Sequence, residues 1–276
     1  MTANGNGIWP AMKETKADLV VGYADETRKM VEYLSALPEA EWAHSSLCPE
    51  WDIKGVASHL VGQAKDFLDR KHTRAISKAA KQGADVVVPL MIATNQRHYA
   101  DGRRYSNMEL LALLQELRGR VAIRFTQIPK LLFKMKIKGM LPMRLHEALG
   151  IQIFESWVHR QDIMRARGDM DPSGPYDLLL PTVFFGITKM RNYEPSATIN
   201  IDLGAEGIFS LSPETGFKRG GDPRAKATVA IDPAEFVLIA AGRLDADDAK
   251  ATIDGSEGVG KELLYSIRYT GLTPGL

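Results

Sequence analysis

The apolar pattern of this chain changes character once, at GDMDPSGP (168–175), and that change rules out a uniform architecture. Before it, hydrophobic residues recur at helical spacing; after it come short strand-like runs set off by Gly, Pro and Asp. Residues 11–36 carry Leu19, Val20, Tyr23, Met30, Val31 and Leu34 on one helical pattern, which LPEAEW breaks. A second helix begins after Asp52, a suitable N-cap, and runs to about Arg70. Ser106, with Glu109 three residues on, makes a capping box for a third helix reaching about Lys138, where Gly139 and Pro142 end it. A fourth covers about 144–167. Four long amphipathic helices predict a bundle. Residues 72–104 are mixed, and Pro89 argues against one continuous helix there.

Beyond the linker, one more helix is expected at about 176–191. The runs ATINIDL (197–203), GIFSLS (207–212), ATVAID (227–232) and ATID (251–254) read as strands. DPAEFVLIAAGR (232–243) reads as a helix, with Asp232 as N-cap, Pro233 first inside, Glu235 as capping-box partner and Gly242 as terminator. A last helix covers about 257–267. The expected fold class is therefore mainly α with a C-terminal α+β domain, divided into residues 1–170 and 171–276.

Composition narrows the function classes. A formal net charge of +1 over 276 residues argues against a dedicated nucleic-acid binder, which carries a strong basic bias. Cys48 is the only cysteine, so no intramolecular disulfide and no Cys-rich zinc site can form; this fits a reducing cytoplasm. The N-terminal MTANGNGIWPAMKETK has no apolar signal core, and no run reaches the roughly 18 apolar residues of a membrane span. A cytoplasmic protein with neither nucleic acid nor membrane as partner is expected. No pattern specifies an oligomer.

The chemistry concentrates in ESWVHRQD (155–162). Residues four apart on a helix share a face, so Glu155 and His159 point the same way, and Asp162 extends the stripe by a turn. Most such pairs are solvated ion pairs. A catalytic metal usually takes three protein ligands and leaves one position open, so a third donor must come from another helix. His59, on the flank of the second helix's apolar face beside Val56 and Gln63, completes a His₂Glu set. Asp162 would then receive the second N–H of His159.

The surrounding sequence strengthens this reading. SLCPEWDIKGVASHL (46–60) resembles the N-terminal signature of the mycothiol-dependent maleylpyruvate isomerase family, within the DinB-like metalloenzyme superfamily; Cys48, Pro49, Trp51, Val56, His59 and Leu60 match. Glu155, His159 and Asp162 match the family's Glu-x-x-x-His-x-x-Asp. ATVAIDPAEFVLIAAGRLDADDAKATIDG (227–255) resembles its sterol-carrier-like C-terminal domain. Glu50 stands where glycine is usual, Asp52 replaces the usual Thr or Ser cap, Gly55 sits where an acidic residue would close the box, and segment 72–104 is untypical. The resemblance implies a DinB-like four-helix bundle holding a divalent metal, usually zinc, on His59, Glu155 and His159. It also implies mycothiol as thiol cosubstrate, in a cis–trans isomerisation or S-transfer on a small electrophile. Arg243, in the family-like AAGR stretch, is the expected cation for a substrate anion; Arg219 and Arg224, in the loop FKRGGDPR, are expected to be solvated. No residue pattern reads independently as a thiol-binding site. Two rivals stand beside this reading: a metal-dependent hydrolase of the same fold, and a non-catalytic module binding a small molecule or lipid.

Other signals weigh less. GSEGVGKE (255–262) nearly matches a phosphate loop, but Glu262 replaces the hydroxyl that would hold magnesium, so a turn into the last helix is expected. HEALG (146–150) lacks the second histidine of a zincin, and His146 is expected to face water. KLLFKMKIKGMLPMR (130–144) reads as a helix end with snorkelling lysines rather than a membrane contact. Cys48, Trp51 and Trp157 are expected to be packing residues.

Overall fold

The computed structural model describes residues 15–48, 50–129, 145–190 and 193–268. The contacts separate these residues into two units, 15–171 and 172–268.

In the first unit α-helices begin after Thr15, Asp52, Asp69 and Ser106, whose side chains satisfy free N–H groups of the first turn. Helix α1 (Lys16–Ser35) opens with a capping box in which Asp18 N donates to Thr15 Oγ1 and Thr15 N donates to the Asp18 carboxylate. A 3₁₀ turn (Glu39–Ala43) leads towards α2 (Ile53–Leu68), capped by Asp52, whose Oδ1 accepts from Gly55 N at 2.8 Å. Asp69 caps α3 (Arg70–Ala80), and α4 (Ala84–Gly102) follows. The Ser106–Glu109 box opens α5 (Asn107–Gln127), and α6 spans Leu145–Ala166. Helix α1 packs on α5 and α6, and α2 packs on α5 and meets α6, so these four close a ring. Helix α4 lies along α2, and α3 along α4. Among the described residues, no helix is long and apolar enough to cross a membrane.

Three expectations for this unit need correction. Segment 72–104 is helical almost throughout, and its break falls at Gly83 (φ 126°) rather than at Pro89, which is accommodated inside α4. Helix α5 stops at Gln127, well short of Lys138, because Pro129 forces Ile128 out of the helical region (φ −71°, ψ 126°). His146, expected to face water, is half-buried, with Nε2 3.9 Å from Glu147. The expected end at Gly139 and Pro142, and the basic stretch 130–144, lie outside the described residues.

Two buried arginines tie the ring together. Arg160 of α6 meets Glu26 of α1 at 3.3 Å, with both side chains almost wholly buried. Arg118 of α5 donates from Nε to Thr27 Oγ1 at 2.9 Å and from Nη2 to Ser156 Oγ, its guanidinium lying over the Tyr23 ring. Spanning three helices with one planar, multiply donating group suits arginine better than lysine.

The second unit begins with α7 (Tyr176–Phe185), which runs into a π-helical turn, Gly186–Met190. Strands β1 (Ile199–Asp202), β2 (Ile208–Ser212), β3 (Gly216–Arg219), β4 (Ala227–Ala230) and β5 (Thr252–Gly255) form one sheet in the order β3-β2-β1-β4-β5. Among the described residues, β1 and β4 are the parallel pair of this sheet, and α8 (Pro233–Ala240) and α9 (Glu257–Ser266) follow β4 and β5. Alternation along the strands buries Ile199, Ile201, Phe209, Leu211, Phe217 and Val229, and Phe184 of α7 stacks on Phe217 with centroids 4.1 Å apart. Asp232 caps α8 by accepting from Ala234 N and Glu235 N, but Glu235 closes no capping box: its carboxylate accepts from Lys250 N at 2.7 Å. Gly242 (φ 70°) follows α8; GSEGVGKE, expected to be a turn, runs from the end of β5 at Gly255 through Ser256 into the first turns of α9, where Lys261 pairs with Glu257. Arg219 belongs to the end of β3 rather than a loop, with its guanidinium over Phe209; Arg224 is exposed and paired with Asp222.

Candidate metal centre

The second helix carries His59 and the sixth carries Glu155 and His159; where the two helices meet, these side chains converge. His159 Nε2 lies 3.3 Å from Glu155 Oε2, and His59 Nε2 lies 4.0 Å from the same oxygen. The imidazole centroids are 5.2 Å apart, with the planes crossing at 70°. All three donor atoms fall within 4.8 Å of one another. Around a tetrahedral ion with ligand bonds of about 2.1 Å, neighbouring donor atoms stand about 3.4 Å apart, so modest side-chain movement would enclose an ion. Two imidazoles and a carboxylate suit a divalent metal, zinc among them. Both histidines are about 95% buried, whereas the Glu155 side chain keeps 29% of its exposure and marks the accessible side.

The far side of His159 is equally ordered. Its Nδ1 lies 3.0 Å from Asp162 Oδ2, and Asp162 is fully buried. Cys48, expected to be a packing residue, brings its sulfur to this edge: Cys48, His159 and Asp162 form a second buried group of donors within 4.8 Å. The loop before α2 delivers it. Trp51 N donates to Cys48 O, Ser46 N to Trp51 O and Cys48 N to Ser46 Oγ, and Leu47 N donates to the backbone oxygen of Asp162 at 3.0 Å. Glu50 takes a left-handed conformation in this turn (φ 68°). Trp51 then lies against both imidazoles, its centroid 4.9 Å from His59 and 6.3 Å from His159. Pro49 lies outside the described residues.

Burial drives the His59 imidazole well below its ordinary pKa, and His159, His98 and Arg118 push the same way, so His59 is neutral, the form that binds metal. Burial acts on His159 in that direction too. Hydrogen bonds with Asp162, Cys48 and Glu155 outweigh it and hold His159 well above the ordinary value. A metal taking His159 Nε2 must therefore displace a proton.

Sequence reasoning overlooked His98. It lies on α4, is buried, and has its centroid 5.5 Å from that of His59. Arg243 follows α8 in the second unit and donates from Nη1 to Ala241 O.

A family model described as the mycothiol maleylpyruvate isomerase N-terminal domain matches residues 23–164. The chain belongs to this family. The match contains His59, Glu155 and His159. Two solved structures are similar in fold: a crystal structure of the mycothiol-dependent maleylpyruvate isomerase and one of a histidine-to-alanine mutant of it. Each is 16% identical to this chain with a TM-score of 0.58, and each alignment covers 87% of this chain and 93% of the other. No curated protein sequence matches.

Proposed function

We propose that this protein is a divalent-metal-dependent enzyme that uses a low-molecular-weight thiol, mycothiol, to isomerise a small electrophilic substrate from cis to trans. The observation that carries the reading is the convergence of His59, Glu155 and His159 within 4.8 Å, inside the segment that matches the isomerase family. A metal bound there, zinc in this proposal, would keep a coordinated thiol deprotonated near neutral pH, the form that attacks carbon.

The chain's own residues do the rest. His59 and His159 offer Nε2, and Glu155 offers its carboxylate from the accessible side. Asp162 accepts from His159 Nδ1, which fixes the ring's orientation and directs Nε2 towards the metal. Trp51 packs over both imidazoles and keeps water from their outer faces. Arg243 remains the proposed cation for a substrate carboxylate, on its family-like AAGR context. The bundle, residues 1–170, is the proposed catalytic domain, and 171–276 the sterol-carrier-like one.

The test is metal content by mass spectrometry on protein purified without a metal-affinity tag, with turnover of maleylpyruvate with and without mycothiol. The expected result is one metal per chain, lost in His59→Ala and Glu155→Ala, and turnover only when thiol and metal are both present. Turnover without thiol would favour a hydrolase; metal-free wild type with no turnover would favour a binding module. Either overturns the proposal.

A further inference from the structure

Each ligand histidine has a second ring nitrogen, and the two are treated differently. His159 Nδ1 has Asp162. His59 Nδ1 is buried and has no hydrogen-bond partner among the described residues. With Nε2 turned towards Glu155 as a metal donor, a neutral His59 carries its proton on Nδ1, so the orphan is a donor.

The ring beside it is an orphan of the opposite kind. His98 Nε2 lies 2.7 Å from Asp66 Oδ2, and a carboxylate can only accept, so that nitrogen is the protonated one. Arg97 Nη2 is 3.4 Å from the same nitrogen, but the shorter contact decides the tautomer. With the ring neutral, His98 Nδ1 is a lone-pair acceptor, and it too is buried without a partner among the described residues. His72 and Arg97 approach the same Asp66 oxygen at 3.3 and 2.6 Å and hold the carboxylate in place. The fold provides for the arrangement: the His98 ring lies against Gly62, one turn along α2 from His59, where a Cβ would overlap it.

An unpaired buried donor and an unpaired buried acceptor thus stand on adjacent rings. We infer that Asp66, His98 and His59 form a hydrogen-bonded chain, in which His59 Nδ1–H donates to His98 Nδ1, directly or through one buried water, once His59 Nε2 is engaged by metal. His98 is a positioning residue for a ligand, reaching from the segment of the sequence least typical of the family. The inference rests on the metal reading above.

The test uses full-length protein, zinc affinity by competition with a chromophoric chelator, and the visible absorption of the cobalt-loaded form. His98→Leu should weaken zinc binding about 10–100-fold and alter the cobalt bands. Asp66→Asn should cause a smaller loss in the same direction. His98→Asn, whose amide oxygen can occupy the place of Nδ1, should recover most of the affinity. Melting of the metal-free proteins separates out packing, since a packing defect alone lowers that temperature and leaves the cobalt bands of folded protein unchanged. Wild-type affinity and bands in both His98→Leu and Asp66→Asn, with zinc still lost in His59→Ala, would overturn the chain and leave the metal centre standing. A wild-type protein that binds no zinc overturns both.

Discussion

Glu50 is the one residue other than glycine found in the left-handed region among the described residues, and it is exposed. A side chain there costs about 1–2 kcal/mol, while glycine costs about 0.5–1 kcal/mol in chain entropy on folding. Glu50→Gly should therefore stabilise the protein by about 0.5–1 kcal/mol, read as a higher urea midpoint at unchanged slope. An unchanged or lower midpoint would mean the turn does not strain the residue. Asp66 gives a pH-dependent case. Burial favours its neutral form, but hydrogen bonds from His98 and Arg97 outweigh this and hold the carboxyl below its usual range. Its folded pKa then lies below the unfolded value of about 3.9, so its stabilisation is complete above that value and fades as pH falls through the folded one. Asp66→Asn should be less stable than wild type at about pH 6, and the gap should narrow towards about pH 3. Urea midpoints across that range would show it; a constant gap would reject it. Glu155, His159 and Asp162 could be read from sequence because one helix's periodicity places them on one face. His98 could not, because no spacing relates it to His59 and only the packing of α4 on α2 brings the rings together.

At the scale of elements, the α2–α4 contact depends on absent side chains. Alanine normally improves on glycine in a helix by about 1 kcal/mol. At Gly62 a Cβ would run into the His98 ring, and at Gly102 into Ser58, so Gly62→Ala should reverse the sign and destabilise by about 1–3 kcal/mol. Gly119 on α5 is exposed, with nothing within 4 Å of a Cβ, and Gly119→Ala should stabilise by up to about 1 kcal/mol. Thermal melts of the pair test the contact, and equal shifts in both variants would sink it. The same contact explains what sequence concealed. Helices α1, α2, α5 and α6 announce themselves through caps and apolar stripes. Helix α4 carries an internal proline and a weak stripe, and it reads as irregular until it packs on α2. Strand β3 escaped notice because four residues rich in Gly, Lys and Arg gain strand character only by pairing with β2.

At the scale of the whole molecule, the three proposed ligands, Asp162 and the His98–Asp66 pair all belong to residues 15–171. A fragment ending before Pro172 should keep one metal per chain, and the complementary C-terminal fragment should hold none. Metal analysis of both decides, and a metal-free N-terminal fragment that folds would show that the centre needs more than its own unit. Arg243→Ala in the full chain should raise KM and leave metal content unchanged, if the residue meets substrate rather than supports the fold.

Cys48 is about 99% buried, with its sulfur beside His159 and Asp162. An alkylating reagent can reach it only when the turn before α2 lifts from α6, so the rate of labelling is a clock for that opening. Zinc should slow the clock by stabilising the closed form. Because this is the chain's single thiol, a colorimetric thiol reagent added to folded protein would count added cosubstrate against a near-zero background.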